Sequence, residues 1–385
     1  MRLAGRYDVI GDLSSGGMGR LQLARTVTPS GTQGELVVIK TAHARDDDER
    51  LLDEARVGMR LLHPYIVETL DLVDVNGRPG LVTAYVSGCS LLDVRRKVGA
   101  LPPALICRIA AQISGALEAI HTACDESGQP LMMLHRDVTA SNIMLGHDGK
   151  ARLIDLGIAR SRENRAERTD AGSVRGTLRY LAPELFGTAD HSAQTDLWSL
   201  GVVLWEALRG KEALAGPSAA CIGRILAGSV MSLDQGEIVD GRVQRAISQL
   251  LRVNPSERPK RARDAAALFA MLEKDICGPL DVTGLMSGAV IAAVGPRTDD
   301  RSDPQSAVVR AQAVFGEEAR LQTTGLADKN QHPPPEMLLD VTDDDGSVPA
   351  SFATPEQPGM LEMPKTPGEA ILYYARLLQR LEARR

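Results

Sequence analysis

Residues 134–157 read LHRDVTASNIMLGHDGKARLIDLG, and the rest of the chain is organised around them. Asp137 and Asn142 stand five residues apart, and Asp155 follows thirteen residues later. Between them, residues 143–145 and 151–154 are short apolar runs on either side of His147-Asp148-Gly149-Lys150, a pattern that predicts a hairpin. Such a hairpin carries Asn142 into one strand and Asp155 out of the other, so an amide and a carboxylate converge. Those hard oxygen donors suit magnesium, which keeps waters and phosphates as its other partners. Asp137 then lies where a carboxylate can orient a hydroxyl toward a phosphate.

The chain has 385 residues, room for a large two-part domain and an additional segment. Its hydrophobic fraction of 43% can build a core, and its net charge of −6 argues against nucleic acid as the main partner. The five cysteines are odd in number and show no paired metal-ligand spacing, as expected of reduced thiols in the cytosol. The opening MRLAGRYDVIGDL lacks the apolar core of a signal peptide. The longest apolar candidate, residues 285–294, falls short of the ~20 residues a spanning helix needs. The expectation is a soluble, cytoplasmic protein with no membrane partner.

Residues 7–39 alternate apolar positions with turn residues, as an antiparallel sheet would. Within them, Leu13-Ser14-Ser15-Gly16-Gly17-Met18-Gly19-Arg20-Leu21 is glycine-rich, and glycines let backbone N–H groups approach phosphate oxygens closely. Lys40 ends the apolar run 36–39, and a helix over roughly 46–62 follows, closed by His63-Pro64. Glu54 lies on that helix; Glu49 and Asp53 are the competing carboxylates and read as a solvated face. Residues 81–86 form a strand running into a loop. Residues 102–122 show helical apolar periodicity with proline near the start. The stretch 158–175 is polar, and 176–184 reads GTLRYLAPE. Asp196 begins an apolar helix over 197–208. Further on come Asn254-Pro255-Ser256-Glu257-Arg258-Pro259 and a closing helix over 263–276.

In this order, these segments resemble the eukaryotic-like serine/threonine protein kinases found in bacteria. The resemblance implies an α+β, two-lobed protein-kinase-like fold: a small antiparallel sheet lobe with one helix (1–86) and a larger, mainly helical lobe (87–276). It implies an enzyme that uses ATP and Mg²⁺ to phosphorylate serine or threonine hydroxyls of protein substrates, with autophosphorylation of its activation loop.

By that resemblance Lys40, paired with Glu54, holds the α- and β-phosphates, and Asp137 orients the acceptor hydroxyl and takes its proton late. Asn142 and Asp155 hold the metal, and Thr177 bonds the catalytic carboxylate. The nucleotide is met by Ser14, Gly16, Gly17 and Gly19 at its phosphates. Leu13, Leu21, Val38 and Met144 sandwich its purine, the backbone of Ala84 and Val86 takes its adenine edge, and Ser90 meets its ribose. Thr83 guards the back of that pocket. Thr169 and Ser173 are the candidate phosphosites, with Arg136 as receptor for the phosphate. Asp196 holds the catalytic loop through its backbone N–H groups, and Arg258 pairs with Glu184 in structural roles.

Three positions depart from the family pattern. Ser14 replaces the first glycine of the phosphate loop, and Leu156 replaces the usual phenylalanine after Asp155. Thr139 stands where serine/threonine kinases carry a lysine that steadies the γ-phosphate. The alternative these departures leave open is a nucleotide-binding pseudokinase acting as a regulatory scaffold.

After residue 276 the composition shifts. Ten of the 21 prolines lie between Pro296 and Pro367, with an acidic Asp343-Asp344-Asp345 run. The expectation is a Pro-rich, acidic linker over 277–366, largely disordered. Residues 367–385 regain helical periodicity, with Ile371, Tyr374, Ala375, Leu378 and Leu381 on one side. Such a short helix is marginal alone in water, so its open alternatives are docking on the kinase, on a partner or on a second copy, or a frayed or locally packed end.

Overall fold

The computed structural model describes residues 2–16, 19–28, 30–42, 44, 47–125, 127–156, 178–187, 190–214, 218–227, 240–278 and 281–295. The small lobe is a six-stranded sheet of β1 (Arg2–Leu3), β2 (Tyr7–Gly16), β3 (Gly19–Val27), β4 (Gln33–Thr41), β5 (Thr69–Asp74) and β6 (Pro79–Ala84). The strands lie in the order β1-β2-β3-β4-β6-β5, and every pairing is antiparallel. Alternation sorts the side chains between two faces. Ala24, Val37, Ile39 and Val82 pack on one, and Leu13 and Leu23 cluster separately with Leu21, Val38 and Tyr85.

Helix α1 (Asp48–Gly58) lies against β5 and β6 and buries Leu51, Ala55 and Gly58. Its exposed face carries Glu49 and Asp53, as expected of a solvated side. The helix is shorter than the expected 46–62 span: residues 59–62 leave it before the His63-Pro64 turn. The remaining connection, β6 into Tyr85, Val86 and Ser87, is the hinge to the large lobe.

There, β7 (Gly88–Ser90), β8 (Ile143–Gly146) and β9 (Ala151–Leu153) form a three-stranded antiparallel sheet. Helix α2 (Leu91–Val98) starts at a capping box in which Ser90 and Asp93 satisfy each other's backbone N–H groups. Helix α3 (Pro103–His121) is apolar enough to cross a membrane by composition, but most of it is buried in the large-lobe core. Around it stand α4 (Ala193–Arg209), α5 (Ser218–Leu226), α6 (Gly241–Leu250) and α7 (Ala262–Cys277). One continuous core joins α3, α4, α6 and α7 with β8 and β9. The catalytic hairpin therefore rests on the most heavily packed part of the molecule.

An eighth helix, α8 (Val282–Val294), occupies the start of the segment expected to be linker. It packs on α2, α3 and the β7–β8 edge and buries Val282, Met286 and Val290. The remainder of that linker, and the helix expected over 367–385, lie outside the described residues.

Candidate active site

The hairpin forms as the sequence reading expects. Asn142 ends a short 3₁₀ turn directly before β8, and Asp155 comes two residues after β9. The Asn142 side-chain amide donates to the Asp137 backbone carbonyl (2.9 Å) and to its Oδ2 (3.0 Å). Both donations come from the nitrogen, so the amide oxygen remains as the ligand-capable atom. Ile154 N–H donates to the Asn142 carbonyl at 3.0 Å, locking the two ends of the hairpin together.

Lys40 sits in β4, in register with Leu21 and Leu81. Its Nζ reaches Asp155 Oδ1 at 2.8 Å and Glu54 Oε2 at 3.2 Å, so one ammonium serves a carboxylate from each lobe. The lysine and glutamate side chains are only 15% and 13% exposed, whereas Asp155 is 34% exposed and opens toward solvent. Burial works against the Lys40 charge, but Asp155 and Glu54 outweigh it and raise the lysine's pKa. Burial pushes the Glu54 carboxyl up, Lys40 opposes the rise and Asp155 adds to it. Two carboxylates thus compete for one cation, an arrangement that favours entry of another positive charge at the exposed one. Asp155 and Asn142 supply a carboxylate and an amide oxygen there, a donor set that fits Mg²⁺. Among the described residues no cluster of three or more His, Cys, Asp or Glu offers a competing metal site.

The catalytic loop is held from below. Asp196, in the first turn of α4, accepts from the backbone N–H of His135 (2.9 Å) and of Arg136 (2.8 Å), and its Oδ2 lies 2.8 Å from His121 Nε2. Burial would raise the Asp196 carboxyl, yet the His121 hydrogen bond and the surrounding histidines hold it below the usual carboxylate value. The pKa of the fully buried His135 ring is lowered too, by desolvation, and the ring packs under the loop with its Nδ1 accepting from the Asp137 backbone N–H at 3.3 Å and its Nε2 3.3 Å from the Ile154 carbonyl oxygen. Arg136 and Asp155 both have left-handed backbone, with φ of 63° and 54°. Two such residues flanking one cleft mark backbone strain held by the surrounding contacts.

Arg136 Nε is buried with no hydrogen-bond partner among the described residues. Arg258 is fully engaged: its guanidinium grips both oxygens of Glu184 at 2.7 and 2.8 Å and caps three backbone carbonyls.

The nucleotide-side expectations fall out unevenly. Leu13, Leu21 and Val38 do cluster beside the hinge residue Tyr85, Thr83 lies opposite Val38, and Met144 lies in β8 opposite Ser90. Ala84 N–H donates to the Glu68 carbonyl at 2.9 Å. Gly16 and Gly19 face each other across the β2–β3 turn. Gly19, at φ 127°, leaves no room for a side chain: a Cβ would stand 2.2 Å from the Thr41 carbonyl oxygen. The Ser90 hydroxyl, expected at a ribose, is buried and bonded to Asp93 as the cap of α2. Its S-x-x-D spacing was the signal for that. Thr139, also buried, bonds the Ser141 hydroxyl at 2.9 Å. Leu156 joins the large-lobe core. Gly17, Thr169, Ser173 and Thr177 lie outside the described residues, as does the Ser14 side chain.

A two-lobed fold with these groups in its cleft defines a phosphotransferase of one family, and the chain belongs to it: residues 7–268 match the protein kinase domain. Similar proteins are bacterial kinases. The tyrosine-protein kinase MasK of Myxococcus xanthus is 31% identical over 53% of this chain and 33% of its own length. Serine/threonine-protein kinase pkn2 of Myxococcus xanthus is 30% identical over 70% of this chain and 32% of its own. Serine/threonine-protein kinase PknB of Mycobacterium leprae is 29% identical over 69% and 42%. The chain thus spans about a third to two fifths of the length of these relatives.

Proposed function

We propose that this protein is an ATP- and Mg²⁺-dependent protein kinase that phosphorylates serine and threonine hydroxyls of proteins. The observation that carries the reading is the Lys40–Glu54–Asp155 cluster beside the Asn142–Asp137 contact. With nucleotide bound, Asp155 and Asn142 would hold Mg²⁺, which neutralises charge on the transferring phosphate. Lys40, kept protonated by its carboxylates, presents its ammonium to the phosphates while Glu54 fixes its position. Asp137, steadied by Asn142, orients the acceptor hydroxyl. Phosphoryl transfer has a loose transition state, so positioning and charge stabilisation supply most of the catalysis. The backbone of Ala84 and Val86 would take the adenine edge. Asp196 and the Arg258–Glu184 pair support the loop and do not touch substrate.

Arg136 supports activation by phosphate: its Nε is buried without a partner among the described residues, and phosphate on Thr169 or Ser173 would supply one. One observation favours a second reading, a weakly transferring scaffold: Thr139 puts a neutral hydroxyl pair with Ser141 where a cation usually steadies the γ-phosphate. That one similar protein is named a tyrosine kinase bears instead on which acceptor hydroxyl is used.

Incubation of the purified chain with Mg²⁺ and γ-labelled ATP separates the readings. The kinase reading expects label on serine or threonine, reduced about a hundredfold or more in Asp137→Asn. Bound nucleotide without label, on itself and on a general protein acceptor, would establish the scaffold.

A further inference from the structure

Helix α8 lies wholly beyond the matched domain, whose last residue is 268, yet it is fitted to the catalytic lobe at both ends. At its start, Arg108 of α3 donates to Thr283 Oγ1 at 2.8 Å and to Glu273 of α7 at 2.8 Å. Beside it, Gly149 in the β8–β9 turn has φ 75°, and a Cβ there would come within 2.5 Å of Thr283 Cγ2. A glycine is therefore needed where the helix meets the turn. At its end stands His147, also in the β8–β9 turn. Its backbone N–H and its Nδ1 both lie 2.9 Å from the Ser87 carbonyl oxygen, and its Nε2 lies 3.3 Å from the carbonyl oxygen of Gly295, which caps α8. One ring thus spans from the hinge to the helix.

The chemistry of the two acceptors matters. Both carbonyl oxygens only accept, so the bond to Gly295 needs an N–H at Nε2, while Nδ1 has the Ser87 carbonyl oxygen at 2.9 Å and the Ser87 hydroxyl at 3.5 Å beside it. The charged groups around the ring are Asp148, Lys150 and Arg152 on its own hairpin and Glu68 across a hollow of about 480 Å³ that His63 also lines. Asp148 is itself paired with Arg152, and α8 contributes no ionisable side chain.

We propose that His147 is a positioning residue that clasps the hinge to α8, so that docking of this helix and binding of nucleotide reinforce each other. Ser87 directly follows the hinge residue Val86 and leads into β7, which Ser90 joins to α2. Fixing the Ser87 carbonyl therefore steadies the hinge segment that would hold the adenine, and fixing Gly295 holds α8 against β7, β8 and α2. Coupling of this kind is reciprocal: if α8 steadies the hinge for nucleotide, nucleotide must steady α8.

The nucleotide arm rests on the kinase reading, and the test keeps the two apart. Amide hydrogen exchange is followed on the full chain as wild type, His147→Asn and His147→Ala, with and without MgADP. Asparagine places an amide N–H at about the reach of Nδ1, so it keeps the Ser87 bond and loses the one to Gly295. In the wild type, MgADP should slow exchange both at residues 84–90 and at 288–295. In His147→Asn it should slow only the first. Without nucleotide, His147→Ala should exchange about fivefold faster at 288–295, the change expected for one lost hydrogen bond. Equal slowing at 288–295 in wild type and His147→Asn would overturn the clasp, as would MgADP that slows only 84–90 in the wild type. If MgADP slows nothing in the wild type, the nucleotide reading fails, and the clasp is decided by the nucleotide-free comparison, where equal rates refute it.

Discussion

The cleft around Lys40 and the anchor around Asp196 and Arg258 are built from the same kinds of side chain and are balanced in opposite ways. In the anchor every charge is closed off. Arg258, with a side chain 0% exposed, meets both oxygens of Glu184 and three carbonyls, and Asp196 is filled by two backbone N–H groups and His121. In the cleft two carboxylates share one ammonium, one of them is a third exposed, and the backbone at Asp155 is strained. Buried charge that is fully paired holds a structure in register, whereas paired charge with one member open to solvent is prepared for a ligand. The difference separates chemistry in the cleft between the lobes from support inside the large lobe.

The sharpest break removes chemistry and leaves the anchor alone. Asp137→Asn should lower the transfer rate by about 10²–10⁴-fold, the usual contribution of a positioned acid–base group, with the thermal midpoint nearly unchanged. The reverse break is Arg258→Ala, which strands Glu184 in the interior. It should cost about 3–5 kcal/mol and lower Tm by roughly 10 °C in a domain of this size, read by calorimetry. If Arg258→Ala melts like the wild type, the anchor has been misjudged.

A smaller effect sharpens the cleft. Thr139→Lys restores a cation near the transferred phosphate and should raise kcat about tenfold or more, since donors aimed at developing charge are worth several kcal/mol. A fall in kcat instead would mean that the Thr139–Ser141 hydroxyl pair is itself part of the working geometry. The smallest effect is in acid stability. The folded-state pKa of His135 is depressed by burial, so below the ordinary histidine value of about 6.5 the unfolded chain takes up a proton that the folded chain refuses. Stability should therefore fall between pH 7 and pH 5, by up to about 2 kcal/mol for this one group, and His135→Asn should flatten the slope. The depressed Asp196 carboxyl acts in a lower window: its contribution is present above about pH 4 and is lost only as pH falls through its lowered folded value.

What could be read without coordinates follows from range along the chain. Asp137, Asn142 and Asp155 are close in sequence, and the hairpin between them has its own turn chemistry, so their convergence was legible from spacing. Lys40–Glu54, Asp196 beneath the catalytic loop, and Glu184–Arg258 span 14 to 74 residues; they were expected only through the family resemblance, and the structure forms each contact. Ser90 was assigned by position in the family, although its local capping box with Asp93 pointed to the start of α2. Helix α8 was missed because VTGLMSGAVIAAV is apolar on every side: it has no 3.6-residue stripe and is too short for a membrane. The His147 bridge joins residues 60 and 148 positions away through backbone carbonyls, which leave no mark in side-chain pattern.

The central claim, that the cleft performs transfer while the anchor only supports it, is tested most directly by measuring Tm and γ-phosphate transfer on the same samples of wild type and Asp137→Asn. The account predicts matching melting curves, labelled serine or threonine in the wild type and about a hundredfold less label, or lower still, in the variant. Equal labelling of the two proteins would contradict it, because phosphate would then be moving without the carboxylate around which the site is built.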